Sequence, residues 1–127
     1  MPLVRIDVPQ GKSAEYRSAI SDVVYNTTIS VLKVPEFNRF HVISEHSKND
    51  LAIDPTYYGI QRSENAIIIQ ITLNEGRATS ELKKVYYKAL ADGLHDRLGL
   101  RREDVFINLV EVKKENWSLG NGEAQYA

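Results

Sequence analysis

MPLVRIDV, residues 1–8, is the stretch that decides the fold. Its inner apolar residues alternate with one arginine and one aspartate, a period of two that predicts a β-strand with one buried face. The pattern of residues 4–8 returns 65 positions later as IQITL, residues 69–73. The same kind of strand therefore occurs twice in the chain, and each copy begins a longer pattern.

A glycine turn and a helical pattern follow each of these strands. Ser13 is the predicted N-cap of the first helix, whose apolar residues are spaced three and four apart as far as about Leu32, before the Val34-Pro35 stop. Thr79 is the predicted N-cap of the second helix, and Gly99 ends it. Each helix therefore follows its strand at a similar distance.

Further strands are predicted at residues 40–44 and 105–112, and the strongest strand in the chain is residues 66–73. Residues 46–65, between the predicted strands at 40–44 and 66–73, are polar and rich in turn formers. A loop of this length is uncommon in a small domain unless it serves a site or an interface.

The order of elements predicts one α/β (α+β) domain, residues 1–127, made of a tandem β-α-β repeat. The pseudo-repeats are residues 2–45 and 66–112, with an offset of 65 that becomes 66 after the helix, and residues 113–127 form a tail. Right-handed crossovers give a four-stranded mixed sheet with both helices on one face. The other face is expected to be apolar and without cover, which predicts an oligomer whose subunits cover each other's sheets.

Composition excludes several classes of function. The net charge is −1, from 16 basic and 17 acidic residues, which argues against nucleic-acid binding. The chain has no cysteine, and its three histidines lack metal-ligand spacing, so neither a metal nor another cofactor is expected. No stretch is apolar enough to predict a membrane span, and a cytoplasmic protein is expected.

Pro2 is the candidate catalytic base. Removal of Met1 is expected and leaves a free secondary amine at the start of a strand. An α-amino group has a reference pKa of about 7.7–8.0, and burial lowers it towards the value that proton transfer at neutral pH requires. Alternatively, Pro2 only begins a strand, where its missing N–H costs nothing. If Met1 is retained, the nitrogen is an amide and there is no base.

A set of residues spread over nearly the whole chain identifies a family. These residues are Pro2-Leu3, Ile6-Asp7, Gly11, Val34-Pro35, Arg39-Phe40, Gly59, Arg62, Gly76-Arg77, Lys84, Tyr87-Lys88, Asp104-Val105, Val110-Glu111, Asn116-Trp117-Ser118 and Gly120-Asn121-Gly122. In this order, they make the chain resemble the tautomerase superfamily, closest to its longer members, the malonate semialdehyde decarboxylases and related 4-oxalocrotonate tautomerase-like proteins. The resemblance implies a tautomerase/MIF-like fold and a homotrimer, with the amino-terminal proline as base or acid near a subunit boundary.

Two positions differ from the decarboxylase pattern. That group has an aspartate where this chain has Asn38, and an amide cannot act as a general base at neutral pH. It also has Arg-Pro-Arg where this chain has EGR, residues 75–77. Hydration and decarboxylation are therefore less well supported than simple keto–enol proton transfer.

Four further residues are candidates for substrate binding. Arg77 is expected to hold a carboxylate in a bidentate contact, although an arginine near the start of a helix can also be simply solvated. Asn38 either hydrogen-bonds substrate or water, or is a turn residue. By the resemblance, Trp117 and Leu119 form an apolar wall over Pro2, and packing in the trimer is the alternative.

Other polar and aromatic residues are expected to have structural roles. Arg39 either binds an anion or forms an ion pair with Glu45, and the ion pair is the expected role. Lys12, which occupies the position of Arg77 in the first repeat, is expected to be a surface residue. Tyr57 and Tyr58 are expected to pack in an interface.

Three functions remain open at this point. The leading one is a cofactor-independent tautomerase or isomerase of 2-oxo acids, in which Pro2 moves the proton and Arg77 holds the small carboxylate substrate. The second is decarboxylation of a 3-oxo acid such as malonate semialdehyde, with a cationic Pro2. The third is a non-catalytic trimeric binding or scaffold protein on the same fold.

Overall fold

The computed structural model describes residues 2–127, so the predicted removal of Met1 lies outside the described residues. The chain forms four strands and two long helices. In chain order these are β1 (Leu3–Pro9), α1 (Ala14–Leu32), β2 (His41–His46), β3 (Ile67–Asn74), α2 (Ser80–Leu98) and β4 (Val105–Val112). Each helix is 19 residues long, and none in this part of the chain is long and apolar enough to cross a bilayer.

The four strands form one sheet in the order β2-β1-β3-β4. Strands of the same repeat are parallel, and the two repeats meet through the antiparallel β1–β3 pair, in which Arg5 lies opposite Gln70. The prediction of a tandem β-α-β repeat with a four-stranded mixed sheet is confirmed. Only strand boundaries differ, because β2 begins at His41 and extends to His46 rather than occupying residues 40–44.

The two helices begin and end at matching positions of the two repeats. Ser13 and Thr79 are 66 positions apart, and each side chain accepts a hydrogen bond from the N–H three residues later. Lys33 and Gly99, also 66 apart, both adopt the left-handed conformation that ends a helix. Equivalent backbone signals therefore begin and end α1 and α2.

The core lies between the sheet and the two helices. Alternate residues of β1 and β3 are buried against them, as the period of two predicted. The core side chains with no exposed surface are Val4, Ile6, Val8, Ile20, Val24, Ile67, Ile69, Ile71, Tyr86, Leu90 and Leu94.

The other face of the sheet is mixed rather than uniformly apolar. Phe106 is exposed on it, but the strict alternation of β1 also places Arg5 and Asp7 there. Gln70 donates to Asn108 across this face, with 2.9 Å between nitrogen and oxygen. The expectation of a continuous apolar face was therefore wrong, because β1 places the charged side chains of Arg5 and Asp7 on it.

The loop between β2 and β3 is held by its own side chains. The Arg62 guanidinium donates to the carbonyl oxygens of Asp54, Tyr57 and Ile60. This loop presents Tyr58 to solvent, 87 % exposed, with a positive φ of 63°. The rings of Tyr57 and Tyr58 are tilted against each other with 6.0 Å between their centres, and their packing in an interface stays a prediction.

Candidate functional site

A cavity of about 490 Å³ opens beside Pro2 at one edge of the sheet. Most of its lining is apolar. The lining residues are Pro2, Leu3, Phe40, Thr72, Val112, Asn116, Trp117, Ser118 and Leu119.

Strand register brings these separate segments together. Leu3 lies opposite Thr72 in the antiparallel pair, so the start of β1 meets the carboxyl end of β3. β4 runs parallel to β3 and ends at the same edge, at Val112. The N–H of Val4 donates to the carbonyl of Phe40, which adds the residue before β2. Three strand ends therefore surround the cavity.

Pro2 is buried at this cavity, directly before the first residue of β1. Trp117 and Leu119, the predicted apolar wall, line the same cavity. Pro2 and the wall were thus predicted from sequence, and the structure brings them together.

Asn74 is a residue that the sequence did not single out. Its side-chain oxygen accepts a hydrogen bond from the indole N–H of Trp117, with 2.6 Å between the heavy atoms. This bond fixes the half-buried tryptophan against the end of β3. Asn74 directly precedes the turn at residues 75–77, and the register between the tail and β3, which reveals its role, has no local sequence signal.

The segment beyond Trp117 is also folded back on itself. The N–H of Leu119 donates to Oε1 of Gln125 at 2.8 Å, and Nε2 of Gln125 donates to the carbonyl of Gly120 at 2.7 Å. Leu119 itself is 40 % exposed at the mouth of the cavity. The wall is therefore held at both of its residues by side-chain amides.

Arg77 lies at the same edge of the sheet, in the turn that follows β3, but it does not line the cavity. It is exposed, and its guanidinium forms no ion pair within residues 2–127. The N–H of Arg77 donates to the carbonyl of Asn74 at 3.3 Å, so its turn is tied to the residue that holds Trp117.

Asn38 lies two residues before Phe40 and is half-buried outside the cavity lining. Its side chain has no hydrogen-bond partner in the described part of the chain. Next to it, Phe37 has a positive φ of 62° and is 93 % exposed. The hydroxyl of Tyr25 accepts the N–H of Phe37 at 2.8 Å and fixes this strained turn.

Arg39 does not pair with Glu45, so that expectation was wrong. Its guanidinium contacts Oδ1 of Asp22 at 2.7 Å and lies 4.1 Å from the centre of the Tyr25 ring. Glu45 instead pairs with Arg17 at 2.9 Å. The cause is the direction in which α1 crosses the sheet. The first turns of α1 lie beside the end of β2, and the middle of α1 lies beside the start of β2.

His41 lies on the helix side of β2 rather than in the cavity. Its Nδ1 is 2.8 Å from the Ser21 hydroxyl. Burial and, to a lesser degree, the nearby Arg39 guanidinium lower the pKa of His41 to about 4, with Asp22 acting in the opposite direction. No group of three histidine, aspartate or glutamate side chains within residues 2–127 is arranged to hold a metal ion.

The sequence of this chain is similar to those of known and probable tautomerases. Sequence models described as tautomerase enzyme match residues 2–60 and 38–120. The probable tautomerase YusQ of Bacillus subtilis is 38% identical over 125 residues, covering 98% of each chain. The probable tautomerase YrdN of the same organism is 30% identical over 126 residues, covering 99% of this chain and 96% of its own.

Solved structures show the same similarity in three dimensions. FG41 malonate semialdehyde decarboxylase, inhibited by 3-bromopropiolate, superimposes with a TM-score of 0.90 at 35% identity, covering 98% of this chain and 93% of that one. A symmetric trimer of a fused 4-OT protein superimposes with a TM-score of 0.78 at 21% identity, covering 98% and 97%.

Proposed function

This chain belongs to the tautomerase family, and we propose that it catalyses keto–enol proton transfer in 2-oxo acids with Pro2 as the base. The observation that carries the proposal is the position of Pro2, which is buried at a largely apolar cavity of about 490 Å³. The cavity is large enough for a small organic acid. No cofactor takes part in the proposed reaction.

The proposed base is a free proline nitrogen, which requires Pro2 to be the first residue of the mature chain. Phe40, Trp117 and Leu119 surround it with apolar surface. Such surroundings disfavour the protonated amine and lower its pKa below the reference value of about 7.7–8.0. A neutral amine at pH 7 can accept a proton and return it within one turnover.

In the proposed reaction, Pro2 takes the hydroxyl proton of a 2-enol acid and delivers it to the adjacent carbon, which yields the 2-oxo acid. The reverse reaction removes a proton from the carbon next to the carbonyl group. Arg77, in the turn that follows β3 at the same edge of the sheet, binds the substrate carboxylate and stabilises negative charge on the enolate. Its lack of an ion pair within residues 2–127 leaves the guanidinium available for this contact.

The apolar wall and Asn38 complete the proposed site. Trp117, held by Asn74, and Leu119 exclude water from the amine. Asn38 hydrogen-bonds the substrate or a water molecule from the turn before β2. As an amide it positions such a group but does not remove its proton.

We further propose that the active form is a homotrimer. Two observations support this assembly: the fused 4-OT neighbour is a trimer, and the uncovered sheet face carries exposed Val42 and Phe106 among its polar residues. Light scattering at several protein concentrations tests the assembly against three times the 14.4 kDa chain mass.

Decarboxylation of a 3-oxo acid is the second candidate. The similarity to a malonate semialdehyde decarboxylase at 35% identity favours it. Asn38 counts against it, because this amide cannot activate water. A non-catalytic trimeric binding protein is the third, and retention of Met1 would favour it.

The test combines intact mass and turnover. Mass spectrometry of the purified protein is expected to show loss of Met1. The change Pro2→Ala is expected to lower the rate of phenylenolpyruvate ketonisation by roughly two to four decades, the usual contribution of a general base. Pro35→Ala, at an exposed proline after α1, is the matched control and is expected to keep the rate.

Two results would refute the proline mechanism: an active protein that retains Met1, or unchanged turnover in Pro2→Ala. Faster consumption of malonate semialdehyde than of phenylenolpyruvate would assign the chain to the decarboxylase alternative.

A further inference from the structure

The tandem repeat creates a second cleft at the opposite edge of the sheet. This cleft has a volume of about 900 Å³ and lies between the turn after β1 (residues 9–12), the segment after β2 (residues 46–54) and the segment before β3 (residues 63–66). The cavity beside Pro2 is lined by the matching parts of the other repeat, the end of β4 and the tail that follows it. The two openings therefore lie at matching strand ends, although the turn after β3, which matches residues 9–12, does not line the first cavity.

The second cleft carries a cation where the first edge carries Arg77. Lys12 matches Arg77 at an offset of 65, and each follows a glycine with positive φ, 104° at Gly11 and 80° at Gly76. Lys48 also lines the second cleft. Within residues 2–127 neither lysine forms an ion pair, although Nζ of Lys12 lies 5.6 Å from the centre of the Tyr16 ring. Such a cation–π contact uses none of the hydrogen-bond acceptors that an ammonium group needs, so its N–H groups can still donate to an anion.

A histidine–aspartate pair lies at the same cleft. His46 lines it, and its Nε2 is 2.6 Å from Oδ1 of Asp7. Their matches in the other repeat are Val112 and Thr72, which line the first cavity. In a neutral imidazole, the carboxylate holds the proton on Nε2 and leaves the lone pair on Nδ1. That nitrogen has no hydrogen-bond partner in the part of the chain that the structure describes.

The remaining lining suits a small organic molecule. Leu51 and Ile53 provide apolar surface for a short carbon chain. Of the two carboxylates at the cleft, Asp54 already accepts hydrogen bonds from the N–H and the hydroxyl of Thr56. Glu64 is exposed at the rim.

We propose that the second cleft binds a small carboxylic acid that also carries a hydroxyl or enol group. The carboxylate binds Lys12, and the hydroxyl donates a hydrogen bond to Nδ1 of His46. This inference goes beyond the proline-based activity and does not depend on it, since none of its residues lies at the Pro2 cavity.

Backbone amide NMR of the assembled Pro2→Ala protein tests the inference with L-lactate at pH 8 and constant ionic strength. Saturable shifts are expected at the amides of Gly11 and Ala66, which line the second cleft. Shifts confined to the indole N–H of Trp117 would mean that lactate binds only the first cavity, which would overturn the inference. An absence of saturation would overturn it equally.

Two comparisons sharpen the assignment. Lys12→Met is expected to weaken lactate binding about tenfold, as the loss of a charge-assisted hydrogen bond implies, whereas Lys84→Met on exposed α2 is expected to leave it unchanged. Pyruvate, whose carbonyl cannot donate, is expected to bind several-fold more weakly than lactate. Equal losses in both lysine variants, or equal binding of the two acids, would contradict the proposed contacts.

Discussion

The two edges of the sheet have the same backbone plan but different side chains. At one edge, Pro2 and Trp117 line a largely apolar cavity. At the other, a more polar cleft is lined by Lys12 and by His46, which pairs with Asp7. The glycine turns and helix caps have the same backbone conformation at equivalent positions of the two repeats, whereas His46 and Val112 occupy equivalent positions at the two openings but differ in chemistry. The fold is thus specified by the shared positions, and the chemistry of each edge by those that differ.

The largest expected effect is the loss of activity on substitution of Arg77, the residue whose match at the other edge is Lys12. Arg77→Ala is expected to lower kcat/KM for phenylenolpyruvate ketonisation by about 100- to 1,000-fold, because it removes the proposed contact to the carboxylate and enolate. Arg77→Lys gives this edge the residue type of Lys12 and is expected to lose only about tenfold, since a point charge remains without the bidentate fork. Steady-state kinetics measures both changes.

Arg97→Ala is the matched control for this prediction. Arg97 is also an exposed arginine near one end of α2, with only a 3.8 Å contact to Asp22. Its loss is expected to change kcat/KM less than twofold. A similar decrease in the Arg97 and Arg77 variants would show that Arg77 acts only through general surface charge.

The next effect concerns Asp104 and its match in the first repeat, Asn38. Asp104 is 1 % exposed and accepts hydrogen bonds from the N–H and hydroxyl of Ser63, at 2.7 and 2.6 Å. Asp104→Ala leaves both donors without a partner and detaches the β2–β3 loop. We expect it to lower the free energy of unfolding by about 2–4 kcal/mol.

Asn38→Ala is expected to change that free energy by no more than about 0.5 kcal/mol, because the amide has no hydrogen-bond partner in the described chain. Urea unfolding at one fixed protein concentration measures both, since assembly makes stability depend on concentration. Equal stability of the two variants would show that the loop does not depend on Asp104.

Local patterns were sufficient to predict the fold. Alternation identified β1 and β3, and the caps at Ser13 and Thr79 identified the helix starts, because these signals act between residues close in sequence. The polarity of the open sheet face was misjudged, although Arg5 and Asp7 were visible in the alternation. The prediction of an apolar face rested on the apolar run of β3, which does not describe the other strands of that face.

The candidate site was predicted only in part, because it depends on contacts between distant segments. Pro2 was predicted from the chemistry of a free proline amine and Trp117 through a family resemblance, but the contribution of Thr72 follows from its register with β1. The bond from Trp117 to Asn74 joins residues 43 positions apart. Arg39 was paired wrongly because its partner depends on how α1 crosses the sheet.

A third difference between the repeats is expected to appear with pH. Burial lowers the pKa of His41 to about 4, whereas the matching residue of β4 is Ile107. Between pH of about 6.5 and 4 the unfolded chain binds a proton at His41 that the folded chain does not. The free energy of unfolding should therefore fall as pH decreases through this range, by at most about 1.4 kcal/mol per pH unit from this residue.

His41→Gln should make this pH dependence shallower and leave the stability difference between pH 7 and 8 unchanged. Urea unfolding at half-unit steps from pH 4.5 to 8 measures it. Parallel curves for the variant and the original protein would show that His41 contributes nothing to the acid sensitivity.

The smallest expected effect is on stability and concerns a contact between α1 and α2. The repeat provides this contact twice, and only one of the two copies is polar. The buried Tyr86 hydroxyl is 2.6 Å from Oγ1 of Thr28, and Oγ1 donates in turn to the carbonyl of Val24. Because the threonine proton is used there, Tyr86 is the donor, and burial raises its pKa to about 12. The matching residues of the other repeat are Ile20 and Leu94, both apolar and buried.

Tyr86→Phe is expected to cost about 1 kcal/mol, because Thr28 keeps its bond to Val24 and no buried donor loses its acceptor. Thr28→Val should cost more, since it leaves the tyrosine hydroxyl buried without a partner. The double variant makes this contact apolar like its match and should cost less than the two single changes added together. Additive costs in urea unfolding would show that the hydrogen bond between Tyr86 and Thr28 does not couple the helices.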